Sequence, residues 1–206
     1  MAALVEGSAE NPADEFGPVW SPTGREVAFY SVRDGIRHVF VMRATGQDVV
    51  QVTSDSLQDQ QPQWSPDGNS LVFARRDGAG RDRILTVTRT ADGTWAAPQL
   101  VTEEWATAPS WSSDGRWIAF TDPAGNLRVV DADWGTSRIV AEPVEVGGLP
   151  IRRPYWLFGE LAMLARVEGP AGSGGIWRFS LFGEPPEEVV RFDDPTLPVY
   201  RTEVAA

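Results

Sequence analysis

Apolar residues in this chain fall in short runs broken by polar turns, and no stretch shows helical spacing. The densest runs are "EVAFYS" (26–31), "SLVFAR" (70–75), "WIAFTD" (117–122) and "LAMLAR" (161–166). They are apolar on both faces, as expected of strands sandwiched between neighbouring sheets. Each follows a turn: Ser-Pro-Thr-Gly, Ser-Pro-Asp-Gly, Ser-Ser-Asp-Gly and a shortened Leu-Phe-Gly. Proline presets φ in such turns, and glycine takes the positive-φ position. Before each turn a strand enters through Pro18, Pro62, Pro109 or Pro154, where proline suits a first strand residue that needs no ladder donor. Third strands are expected at 38–42, 84–88, 127–131 and 176–180. Fourth strands are expected at 49–53, 98–102, 137–141 and 187–191.

This pattern is an internal repeat. Trp20, Trp64, Trp111 and Trp156 mark it at spacings of 44, 47 and 45 residues, close to the roughly 40–45 of a four-stranded propeller blade. One such sheet cannot cover both its faces, so successive units must stack. The repeated tryptophan is read as the wedge that packs each blade against the next.

The motif P-x-W-S-P-D-G-x-x-φ-A-F resembles the TolB-type (WD-like) β-propeller repeat over about residues 3–191. The fold class that follows is an all-β propeller of four complete four-stranded blades with an extra strand at each terminus. "ALVEGS" (3–8) reads as a fourth strand without its predecessors, and "LPVYRTEVAA" (197–206) as the start of a fifth blade. TolB-like propellers usually have six blades. The ends therefore either build a reduced fifth blade that closes the ring, or leave an open arc that pairs with a second copy through exposed edges. Residues 1–206 are read as one propeller domain, one that could be cut from a longer chain.

Composition narrows the functions. The net charge is −11, which makes nucleic acid and anionic membranes poor partners, and no run is long enough to span a bilayer. Every one of the 18 basic residues is arginine. There is no cysteine, so disulfides and thiolate chemistry are excluded. The N-terminus lacks a signal-type segment. The family resemblance implies an extracytoplasmic setting.

Catalytic motifs are missing. There is no G-x-S-x-G, and the only histidine, His38, begins an apolar third strand and reads as a strand residue at a blade surface. "DADWGTSRIVAE" has its glycine at the fifth place rather than the sixth and lacks the middle ligands of a calcium loop, and "GPAGSGG" is not a phosphate loop. No cofactor is expected. A calcium ion in the channel would have to use Asp55 and Asp59.

Surface loops remain. In a propeller the 4→1 and 2→3 connections share one face, which here gathers Asp14, Glu15, Asp55, Asp59, Glu103 and Glu104 with Arg33, Arg76, Arg81, Arg152 and Arg153. Trp105 stands among them, outside the repeated set. An aromatic anchor ringed by arginine and carboxylate suits a protein or peptide partner. Trp95 and Trp134 lie on the opposite face, either as blade packing or as a second contact patch. The TolB resemblance implies a non-catalytic interaction scaffold or sensor module. Two alternatives stay open: an accessory gating propeller of a prolyl-oligopeptidase-like hydrolase, and a binder of small ligands or sugars.

Overall fold

The computed structural model describes residues 14–132, 135–170 and 173–192. Within these residues sixteen strands form four antiparallel sheets, each a meander of four consecutive strands. Blade 1 is β1 (Asp14–Trp20), β2 (Glu26–Arg33), β3 (Ile36–Arg43) and β4 (Val50–Gln51). Blade 2 is β5 (Gln58–Trp64), β6 (Ser70–Arg76), β7 (Asp82–Thr88) and β8 (Gln99–Leu100). Blade 3 is β9 (Thr107–Trp111), β10 (Trp117–Thr121), β11 (Leu127–Asp131) and β12 (Arg138–Ala141). Blade 4 is β13 (Ile151–Trp156), β14 (Ala162–Glu168), β15 (Gly174–Ser180) and β16 (Glu187–Phe192). The segments 3–8 and 197–206, expected as terminal strands, lie outside the described residues. Among the described residues a single 3-10 turn, Pro143–Val146, interrupts the all-strand pattern and packs Val146 into the core.

Apolar alternation drives the stacking. On β2, Ala28 faces blade 2 with Val39 and Val41 of β3, and these meet Trp64, Leu71, Phe73, Leu85 and Val87. The other face of β6 supplies Val72 and Ala74, which join Ile84 against Ile118, Phe120 and Val130 of blade 3. Ala119, Leu127 and Val129 then close on Met163, Ala165, Val167 and Phe179 of blade 4. Residues two apart along a strand share a face, so each middle strand serves two cores.

Two expectations need correction. The strand-opening prolines sit inside the inner strands, at a bulge. Pairing with the second strand shifts register between Phe16 and Val19, Gln60 and Gln63, and Arg152 and Tyr155, with a matching shift in blade 3. The residue before each proline is left-handed: Gly17, Gln61, Ala108 and Arg153 have φ of 57°, 57°, 54° and 50°. A bulge leaves one residue out of the ladder, so proline's missing N–H costs nothing there.

The tryptophan wedge also points the other way. Trp64 Nε1 donates to the Val19 carbonyl (3.2 Å), and Trp156 Nε1 to the Ser110 carbonyl (3.0 Å), so each indole reaches the blade before its own. Trp111 is packed at the same place, but its buried indole nitrogen has no partner. Trp20 opens the series and is 63% exposed, against 7% for Trp64.

The inner turns stack in the same direction. A Cβ on Gly68 would stand 3.8 Å from Pro22, and one on Gly115 3.3 Å from Pro66. The Gly159 amide donates to Ser113 Oγ (3.3 Å). Within the turn Ser65 Oγ donates to Asp67 and accepts from the Ser70 amide (2.9 Å), which explains the serine and aspartate of the motif.

Candidate binding face

The 4→1 and 2→3 connections do meet on one face, because backbone bonds tie them across blades. The Ala106 amide donates to the Asp82 carbonyl (2.8 Å) and the Ile151 amide to the Gly125 carbonyl (3.0 Å). Between blades 1 and 2, the Arg37 amide donates to Gln58 Oε1 (2.9 Å) and the Arg37 guanidinium to Gln60 Oε1 (3.2 Å). Gln61 Oε1 accepts from Thr107 Oγ1 and the Ala108 amide, both at 3.0 Å, joining the inner bulges of blades 2 and 3.

Most of the expected charged side chains are engaged in holding this face together. Asp59 is fully buried and receives both edges of Arg75, Nε at 2.7 Å and Nη2 at 2.9 Å. Asp55 closes on the same guanidinium at 2.6 Å. Asp55 and Asp59 therefore share Arg75 as their counter-charge. Burial opposes the Arg75 charge, but the Asp59 hydrogen bonds and the two carboxylates hold its pKa above the ordinary arginine value. Arg76 grips Asp82 with two bonds of 2.8 Å. Glu104 takes Arg128 Nη2 (2.9 Å) and the Ser137 hydroxyl, linking blade 3 to the connection before it. Arg152 lies 3.9 Å from Glu168, and Arg153 occupies the left-handed bulge of β13. Asp14 opens β1 opposite Val32.

One aromatic group stands out from this lattice. Trp105 is 46% exposed, and the Arg81 guanidinium lies over its ring at 5.2 Å. Arg81 is itself held by Asp77 (2.9 Å), whose carboxylate also accepts from the Ala79 and Arg81 amides. The Arg81 backbone bond is the leading cause that lowers the Asp77 pKa. Glu103, exposed, lies 3.8 Å from Arg83 beside this group. The anchor and its cation are thus pre-set by a closed loop.

Two expected residues behave differently. Arg33 has no carboxylate partner among the described residues; its guanidinium lies 4.2 Å over the Phe40 ring. Glu15 lies opposite Ser31 in the ladder, and Ser31 opposite His38. These three side chains share one rung, yet Ser31 Oγ, His38 Nδ1 and Glu15 Oε1 are all buried without a hydrogen-bond partner. No Ser–His bond forms, and the serine rather than the histidine is central to the rung. On the opposite face Trp95 packs on Trp64 with ring centroids 6.2 Å apart, under Arg89, which bonds Glu26 of blade 1 at 3.0 Å. Trp95 is blade packing; Trp134 lies outside the described residues.

Sequence reasoning did not single out Arg75, Arg128, Asp82 or the glutamines of "QDQQPQ". The glutamine run was a usable signal. A strand that alternates amide side chains beside an inner bulge has bonds to offer to both neighbouring blades.

Four-stranded meanders stacked face to face, locked by inner-strand tryptophans and offering one connected loop face, define a β-propeller. Residues 4–144 match the TolB beta propeller domain, and the chain belongs to that family. A TolB structure from Agrobacterium tumefaciens superposes with a TM-score of 0.76 at 16% identity, covering 91% of this chain and 68% of that one. TolB from Acinetobacter baumannii gives 0.69 at 19% identity, covering 86% of this chain and 43% of its own. In sequence, 64 residues are 36% identical to an uncharacterized peptidase, YuxL, of Bacillus subtilis strain 168, spanning 31% of this chain and 10% of that protein. This chain therefore spans only a small part of that relative's length.

Proposed function

We propose that this propeller is a non-catalytic binding module that presents its 4→1/2→3 loop face to a protein or peptide partner in an extracytoplasmic setting. The observation that carries the reading is Trp105, half-exposed and held under Arg81, on a face most of whose other charges are tied into ion pairs. A pre-set aromatic–arginine anchor loses little side-chain entropy on binding, and these residue types dominate binding hot spots. The net charge of −11 favours a partner with a basic contact surface.

The test replaces Trp105 with a photo-crosslinking amino acid and identifies the crosslinked protein in extracts of the source organism. Binding of that protein is then measured with W105A and R81A, both checked for unchanged circular dichroism. A loss of about tenfold or more in each variant is expected, the scale of a hot-spot truncation. Equal affinity for wild type and W105A would overturn the reading.

A second reading rests on the likeness to the Bacillus subtilis peptidase: an accessory propeller that gates a hydrolase. It predicts that deleting the propeller from the full-length protein changes which substrate sizes are cleaved and leaves the hydrolytic centre intact.

A further inference from the structure

Each joint between successive blades is built from two unlike halves. The following blade offers its inner-strand tryptophan and a glycine of its 1→2 turn. The preceding blade offers the carbonyl before its own tryptophan and the second residue of its own 1→2 turn. At the first joint Trp64 Nε1 donates to the Val19 carbonyl (3.2 Å), and a Cβ on Gly68 would stand 3.8 Å from Pro22. At the second, a Cβ on Gly115 would meet Pro66 at 3.3 Å. At the third, Trp156 Nε1 donates to the Ser110 carbonyl (3.0 Å) and the Gly159 amide to Ser113 Oγ (3.3 Å).

The end blades each carry one half of this joint left open. Blade 1 has the following half. Trp20 pairs with Val27 as Trp64 pairs with Leu71, so the two indoles leave the same side of their sheets. Yet Trp20 is 63% exposed, and its indole meets no acceptor among the described residues. A Cβ on Gly24 would meet nothing within 4 Å. Deeper on that side Val27, Phe29, Phe40 and Met42 are buried, so the open part is the rim that carries the turn.

Blade 4 has the preceding half. The Leu157 amide closes its turn on the Ala162 carbonyl as the Ser65 amide does on Ser70, which puts Phe158 where Pro22, Pro66 and Ser113 stand in the other blades. Phe158 is 94% exposed. Tyr155 precedes Trp156 as Val19 precedes Trp20, and it too is exposed.

Both halves come from one repeated joint, so each is shaped for the other. Both stay exposed within a single molecule, so the fit is met between molecules. We propose that blade 1 of one copy of this chain docks on blade 4 of another, with Trp20 reaching the Tyr155 carbonyl and the 21–24 turn seated on Phe158. The contact joins unlike surfaces, so copies add head to tail into a ring or a chain instead of stopping at a symmetric pair. It uses the 1→2 end of the blades, opposite the Trp105 face, and holds whether or not that face meets a partner.

Sedimentation velocity on the chain at rising concentration provides the test. The wild type should associate. Trp20→Ala and Phe158→Ser should each weaken association by about tenfold or more, the scale of a hot-spot truncation. Both side chains are exposed, so neither change should alter the circular dichroism. Trp105→Ala, on the other face, should leave association unchanged. The decisive arm mixes the two joint variants. Phe158→Ser keeps an intact blade 1 rim and Trp20→Ala an intact blade 4 rim, so the equimolar mixture should regain one wild-type joint and stop at the dimer. No gain on mixing overturns the proposal, because a symmetric pair through blade 4 would behave that way. So does association that either single variant leaves intact. A monomer at every concentration overturns it as well and assigns the open rims to a different partner.

Discussion

A carboxylate in this protein is rarely alone. Asp59 is the extreme case: fully buried, it is tolerated because Arg75 meets it with two bonds. Removing Asp59 leaves the buried Arg75 guanidinium with Asp55 alone, so Asp59→Ala should cost up to about 3 kcal/mol in urea unfolding, short of the loss from a charge left with no partner. The double variant Asp59→Leu/Arg75→Met should cost less, because the one charge it leaves unpaired, Asp55, is exposed to water. If the double variant were as unstable as the single, the pair would be contributing through shape rather than charge. The turn aspartates act through hydroxyls instead. Thr90 foremost, with Thr94, lowers the Asp92 pKa to about 2 from the ordinary 3.8; Ser65 lowers Asp67 and Ser112 lowers Asp114 in the same direction. A depressed folded pKa means the contribution is complete above 3.8 and fades as pH falls through the folded value. Thermal melts should therefore drop between roughly pH 4 and pH 2. Asp92→Asn should flatten its share of that drop, and an unchanged pH profile would count against it. The serine and aspartate of the turn were legible from the motif. The Asp59–Arg75 pair was not, because nothing in a sequence says which of several arginines crosses to which acid.

Blades were easy to read because three signals agreed: tryptophan period, turn residues and apolar runs. Their joints were harder. Proline in an inner strand gave no hint that the residue before it would be left-handed, since glycine, glutamine, alanine and arginine all stand there. The indole bond was hidden because periodicity places a tryptophan between sheets without saying which sheet it bonds. Two substitutions probe these joints. Trp156→Phe removes the donor to the Ser110 carbonyl and should cost about 1 kcal/mol beyond any packing change. Trp20→Phe, at the exposed start of the series, should change stability little. Equal losses in both would mean that the indole bond contributes nothing. Gly115→Val forces a β-branched residue into φ of +76° and brings its Cβ to 3.3 Å from Pro66, so a loss of at least about 1–2 kcal/mol is expected.

At the scale of the whole molecule, the exposed aromatic side chains other than Trp105 belong, among the described residues, to the first and last blades. Trp20 belongs to the first blade, and Tyr155, Phe158 and Phe182 to the last, with Phe158 94% exposed. Clustered exposed apolar groups mark contact surfaces. Light scattering should show concentration-dependent self-association that Phe158→Ser reduces; a monomer at all concentrations would argue against pairing through this edge. The fold and the loop face were visible in the sequence because repeats declare themselves. The rung of Glu15, Ser31 and His38 was not, because it becomes a cluster only when three strands are laid side by side. The backward reach of the tryptophans also gives the stack a direction. Detaching blade 4 breaks a bond that belongs to blade 4 itself and leaves the shortened protein with its remaining indoles as they were. Detaching blade 1 instead strips Trp64 of its acceptor, so truncation from the two ends is unequal: trimming from the C-terminal side should leave the better-folded remnant.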